Sequence, residues 1–224
     1  ADYYKNTNNY SKSLMLYDSV LVLSNDFDLK ARSYLSKAMI YYNDDKISES
    51  INTYKLVINT FQKGSYFKEA LLGLQSIYVG IAKVDEYITY VNSLPQYKIT
   101  ESEQDSLSYN AAFIKFSEQD YQISKIAFKK YVNQFSDGIF VDDAYFYLAL
   151  SNNNLGDSIE TNQCFQYIVD NNVSQYLERA LIHLARIFYS QEDFLSSNNF
   201  YDQLESIASS NSIKREVIIR LMYG

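Results

Sequence analysis

The chain has 224 residues, 47% of them hydrophobic and 21% charged, with 23 Tyr, 13 Phe, one Pro and six Gly. So much apolar side chain excludes a disordered chain, and so few turn residues exclude an ordinary all-β fold. A net charge of −7 with no run of Lys and Arg argues against a nucleic-acid partner, and no apolar stretch approaches the ~18 residues that a membrane span needs.

The predicted elements are helices in recurring pairs. An alanine slot marks the first helix of each pair at Ala1, Ala38, Ala112, Ala149 and Ala185, with Gln75 in the remaining place; the spacing is 37 residues, and once 36. Three residues on stand Tyr4, Tyr41, Tyr78, Lys115, Asn152 and Phe188. A second helix is predicted to begin near Tyr10, Ile47, Val84, Tyr121, Ser158 and Phe194. Seven residues into it come Tyr17, Tyr54, Val91, Phe128, Phe165 and Tyr201, followed by Val20, Val57, Leu94, Tyr131, Ile168 and Leu204. Offsets of three, four and seven share one helix face. The predicted units are 1–25, 28–62, 66–97, 103–136, 140–173, 177–210 and 213–224. They make about five full repeats with half-repeats at both ends, one solenoid over 1–224, as expected of a piece of a longer array.

The connections repeat as well. Asp120, Asp157 and Asp193 precede second helices, where each can accept hydrogen bonds from free amides of the first turn. Gly156 supplies a permissive backbone in one such turn. The segments Phe61 to Tyr66 and Phe135 to Phe140 match each other 74 residues apart, and Gly64 and Gly138 are predicted to end second helices as C-caps. Pro95 is predicted to end the third unit's second helix early. Glu101, Glu103 and Asp105 read as a helix N-terminus, where carboxylates complement the dipole.

This pattern resembles the tetratricopeptide family. Tyr121, Ser124, Phe128 and Tyr131 follow the family's second-helix motif, as do Phe194, Ser197, Tyr201 and Leu204. The resemblance covers essentially the whole chain and implies an all-α fold, an α-α superhelix of antiparallel helix pairs. The repeat is longer than the family's usual ~34 residues, and the proline that typically closes the second helix is missing from every unit. The longer period and the Phe-x-x-Gly connections are similar to those of bacterial envelope proteins, the BamD-like lipoproteins and CpoB-like periplasmic proteins. The Tyr- and Asn-rich composition is similar to that of Bacteroidetes repeat proteins. These likenesses imply a periplasmic or outer-membrane-associated location, with the cytoplasm as the alternative.

The alanine expected in the second helix is replaced by Ser13, Ser50, Ser124 and Ser197, with Tyr87 and Thr161 in the other units. A serine there is expected to bond back to its own helix and to cost a few tenths of a kcal/mol of helix propensity. On that basis Ser50→Ala with Ser124→Ala should raise the melting temperature.

Catalysis has little support. His183 is the only histidine, which rules out a two-histidine site within the chain, and it is expected on an exposed helix face. Cys164, the only cysteine, is expected to be a packed small hydrophobe. No Walker A, G-x-G-x-x-G or G-x-S-x-G motif is present. No enzyme activity, cofactor or metal is expected.

The family resemblance places a binding surface on the concave, first-helix side. By register this gives Arg32, Leu35, Met39 and Tyr42; Tyr109, Phe113 and Phe116; Asp143, Phe146, Leu150 and Asn153; and Arg179, Ile182, Arg186 and Tyr189. Aromatic anchors with Arg are the usual composition of binding hot spots. For Tyr109, Phe113 and Phe146 the alternative is packing between neighbouring first helices. Arg186 and Tyr189 are expected to be exposed, since a buried Arg needs a partner. The function expected is a non-catalytic scaffold for a peptide or partner subunit. The alternatives are a spacer that self-associates through open repeat ends and a regulatory domain of a larger protein.

Overall fold

The computed structural model describes residues 1–223. The chain divides into two compact units, Ala1–Thr100 and Glu101–Gly224. Unit 1 holds α1 (Asp2–Asn6), α2 (Tyr10–Leu23), α3 (Phe27–Asn43), α4 (Ile47–Thr60), α5 (Ser65–Gly80) and α6 (Val84–Asn92). Unit 2 holds α7 (Glu101–Ser117), α8 (Tyr121–Gln134), α9 (Val141–Asn154), α10 (Ser158–Asp170), α11 (Ser174–Ser190), α12 (Phe194–Ile207) and α13 (Asn211–Tyr223). There is no strand among the described residues.

Within each unit, helices consecutive in sequence pack on one another, and α3 also meets α5 while α7 meets α9. Short connections make neighbours antiparallel, so each unit is an α-solenoid stack of tetratricopeptide-like helix pairs. All six second helices begin at the residue predicted for them. Tyr17, Tyr54, Val91, Phe128, Phe165 and Tyr201 are all buried, as are Ala38, Ala112, Ala149 and Ala185.

One turn closes every pair. The residue two before each second helix has a left-handed backbone: Asn8 (φ 59°), Asp45 (57°), Ala82 (56°), Gln119 (61°), Gly156 (77°) and Glu192 (62°). The following amide bonds back to the carbonyl of Tyr4, Tyr41, Tyr78, Lys115, Asn152 or Phe188 at 2.8–3.0 Å, the long-range bond of a Schellman motif. The sequence slot three residues past the alanine therefore marks the carbonyl that anchors the turn. Asn9, Asp120, Asp157 and Asp193 then cap the second helix by accepting from the amide three residues on. Lys46 and Lys83 hold the same place and make no such bond. Helix α6, ahead of Pro95, has 9 residues where the other second helices have 13 or 14.

Three expectations are corrected. Gly64 and Gly138 are not C-caps: Phe61 and Phe135 hold those positions. Gly64 instead precedes α5 as its N-cap, with φ 89°, and a Cβ on Gly138 would lie 2.7 Å from the Tyr131 hydroxyl. The slot serines do not all bond within their own helix. The hydroxyls of Ser13, Ser50 and Ser197 donate across the pair to the carbonyls of Ala1, Ala38 and Ala185, at 3.1, 2.7 and 2.9 Å. A small residue brings the helices close enough for that bond, and the bond then fixes their register. Ser124 pairs instead with the hydroxyl of Ser151 at 3.0 Å, and only Thr161 bonds back along its own helix.

Asp105 is the third correction. It lies on the buried side of α7, 5% exposed. Its carboxylate accepts a hydrogen bond from the Tyr131 hydroxyl and another from the Ile139 amide at 3.0 Å. The Tyr131 oxygen in turn accepts from the Phe140 amide at 3.2 Å. This network ties α7 to the α8–α9 connection. Burial, and then the bond to Asp105, push the Tyr131 phenol far above its ordinary value.

Candidate functional site

The first helices of unit 2 supply most of the predicted surface, and the structure sorts those residues into two sets. Tyr109 and Phe146 are buried and belong to the core. Tyr109 stacks on Phe140 with ring centroids 4.5 Å apart, and Phe146 stacks on Tyr176 at 3.9 Å. Phe113 and Phe116 are half-buried and close on Tyr147 at 5.0 and 4.9 Å. Aromatics spaced along one helix pack against neighbouring aromatics here, as the packing alternative had it for Tyr109, Phe113 and Phe146, and Phe116 joins them. Asp143 is engaged as well, accepting from the Tyr176 hydroxyl at 2.6 Å and from Gln175 at 2.8 Å.

Leu150, Asn153, Arg179, Ile182 and Arg186 do come together. They line a cavity of about 380 Å³ against Phe165 and His183. Asn153, Arg179 and Arg186 are exposed, and Leu150 is half-buried. The Arg179 guanidinium lies over the Phe146 ring, 4.9 Å from its centroid. Against expectation, His183 is half-buried. Its Nε2 is 3.1 Å from Asn162 Oδ1 and its ring 4.6 Å from Phe165. Burial, then the charge of Arg186, lower its pKa, so the imidazole is neutral at pH 7.

Arg186 also borders a larger cavity of about 870 Å³, with Tyr189, Tyr201, Arg215, Glu216 and Arg220. Here Arg186 is exposed yet occupied: its Nε and Nη2 donate to the two oxygens of Glu216 at 2.8 and 2.6 Å. The Tyr201 hydroxyl donates to the same carboxylate at 2.9 Å. The hydrogen bond from Arg186 holds the Glu216 carboxyl below its ordinary range. Tyr189 is covered by the Arg220 guanidinium, 3.8 Å from the ring centroid. Arg215 and Arg220 were missed in the sequence. The signal was there: four of the chain's five arginines fall on α11 and α13.

In unit 1, Arg32, Met39 and Tyr42 are exposed on α3, while Leu35 is buried. Cys164 is buried in the unit 2 core, and burial pushes its thiol up to about 12. Among the described residues no group of three or more His, Cys, Asp or Glu is placed to hold a metal. No helix among the described residues is long and apolar enough to cross a membrane.

No protein-family model and no curated protein matches the chain. Solved structures do resemble it. A tetratricopeptide repeat protein from Parabacteroides merdae is 13% identical, with a TM-score of 0.40, over 98% of this chain and 94% of that one. The C-terminal part of a TPR repeat-containing protein from Cytophaga hutchinsonii is 12% identical, with a TM-score of 0.43, over 98% and 97%. The Cut9–Hcn1 hetero-tetramer of APC/C gives 11% identity and a TM-score of 0.41, over 98% of this chain and 47% of that one. These are likenesses of fold.

Proposed function

We propose that the chain is a non-catalytic repeat scaffold that holds a protein partner on the first-helix side of unit 2, along the cavities bordered by α9, α11 and α13. The observation that carries this is the pair of adjoining cavities sharing Arg186. They combine exposed arginines with Leu150, Ile182 and Ile219, the mixture of charge and apolar surface found at binding hot spots. The envelope likeness suggests an assembly factor as the form of that role. The exposed Met39 and Tyr42 of α3 offer a comparable surface on unit 1.

A partner is recovered by crosslinking in native extract and identified, and its affinity is then measured against two variants. Asn153→Trp fills the mouth of the smaller cavity from an exposed position; Gln163→Trp puts the same bulk on the exposed part of α10. The expected result is an affinity loss of about tenfold or more, roughly 1.4 kcal/mol, for Asn153→Trp alone. Equal affinity for both variants would move the partner off this face.

A second reading is self-association through α13, favoured by Ile218, Ile219 and Met222, which are 52%, 54% and 72% exposed. It predicts a concentration-dependent mass that Ile218→Glu abolishes; a mass that does not change with concentration removes it.

A further inference from the structure

The two units carry charge very differently. Unit 1 has 11 Lys and Arg against 10 Asp and Glu, and unit 2 has 9 against 17. The acidity of the chain therefore lies in unit 2, yet the face formed by α11 and α13 has the opposite sign. Arg179, Arg186, Arg215 and Arg220 border its two cavities, and Glu216 is the only carboxylate among the lining residues. That carboxylate is already taken by Arg186 and Tyr201. Glu178, on the same helix as Arg179, accepts from the amide and hydroxyl of Ser209.

The remaining arginines have donors to spare. None of Arg179, Arg215 and Arg220 forms an ion pair with a side-chain carboxylate of a described residue. Arg179 and Arg220 rest on the Phe146 and Tyr189 rings. A guanidinium seated over an aromatic ring still has N–H donors to offer a ligand, and part of the entropy cost of ordering it has already been met. A planar fork of donors matches a carboxylate bidentately. Elsewhere the acidic surface of unit 2 repels an acidic ligand, which favours encounter at this face.

We propose that the α11–α13 face docks an acidic peptide segment. Side-chain carboxylates of that segment are taken by Arg179 at one end and by Arg215 and Arg220 at the other, and intervening apolar side chains lie against Ile182 and Ile219. This rests on the reading that unit 2 binds a protein partner, and it names the chemistry of that partner.

The test is selection of a displayed random-peptide library on the full chain, followed by affinity measurement of the enriched peptides. The expected result is enrichment of Asp and Glu, with binding that weakens as salt rises. Arg179→Gln with Arg215→Gln should weaken binding about a hundredfold, taking about tenfold for each lost charge-assisted contact. Both side chains are exposed, so folding is checked by circular dichroism alongside a charge-matched control, Lys63→Gln with Lys68→Gln, which should bind as wild type. Enriched peptides of neutral or basic character would overturn the acidic partner and leave the scaffold reading standing. No enrichment at all would overturn the peptide proposal, and the scaffold reading then stands or falls on the Asn153→Trp comparison. A dimer in the absence of peptide that dissociates on Arg215→Glu would assign the face to a second copy of the chain and overturn the peptide proposal.

Discussion

Changing Asp105 to Asn tests whether a single buried carboxylate fixes the α8–α9 connection. The carboxylate accepts from Tyr131 on one oxygen and from the Ile139 amide on the other. An asparagine of the same shape has only one oxygen. With its oxygen kept on the Ile139 amide, the new NH2 faces Tyr131; turned the other way, it faces the Ile139 amide and costs that bond instead. In the first orientation the Tyr131 oxygen already accepts from Phe140, and its own proton is left without an acceptor. An unmatched buried donor costs about 1–3 kcal/mol, and replacing a charged acceptor with a neutral one adds about 1 kcal/mol. A loss of about 2–4 kcal/mol is expected, read as a lower urea midpoint with circular dichroism at 222 nm. Glu101→Gln provides the control: it removes an exposed carboxylate from the first turn of the same helix and should cost at most about 1 kcal/mol through the dipole. If Asp105→Asn costs no more than Glu101→Gln, the carboxylate acts only on the helix dipole and the network argument is refuted.

Lys46→Asp and Lys83→Asp restore the cap that the corresponding Asp makes in unit 2; each should stabilise by about 1 kcal/mol in urea titration, since the exposed Lys46–Asp44 and Lys83–Glu86 pairs that are lost contribute little. Ser50→Ala with Ser197→Ala should destabilise, the reverse of the expectation from propensity: each loses a buried hydrogen bond of about 1 kcal/mol and regains about 0.5 kcal/mol of helix propensity, a net loss of about 1 kcal/mol for the pair that an unchanged or higher melting temperature would contradict. Acid should weaken the α11–α13 contact, because the hydrogen bond from Arg186 holds the folded-state pKa of Glu216 below its ordinary value of 4.5: its contribution is present above that value and lost as pH falls through the lower folded one. Glu216→Gln should be less stable than wild type at pH 7, and the gap should narrow below about pH 4.5.

The repeat was legible because it is written in local terms. Period-3.6 apolar spacing located all six second-helix starts and Asp at the N-cap marked three of them, and both depend only on neighbours along the chain. What stayed hidden depends on neighbours in space. A serine at a helix interface looks alike whether it bonds to its own carbonyl or, as Ser50 does, to one twelve residues earlier. Asp105 reads as a dipole carboxylate until Tyr131 and Ile139 are seen beside it. Tyr109 and Phe146 share one pattern with residues of an open groove, because an aromatic stripe records a face and not what covers it. Arg186 is exposed, as expected, but its partner Glu216 lies thirty residues away on α13, a helix the register treated as half a unit. The same treatment hid Arg215 and Arg220.

The central claim, that a partner sits on the first-helix face of unit 2, is tested most directly by mapping contacts with a photo-crosslinking residue placed in turn at Asn153, Arg179, Gln163 and Asp202. All four positions are exposed; the first two lie at the α9–α11 cavity and the last two on the second helices α10 and α12. The account predicts adducts with one protein from Asn153 and Arg179 and none from Gln163 or Asp202. Adducts from the second-helix positions, with none from the cavity, would contradict it.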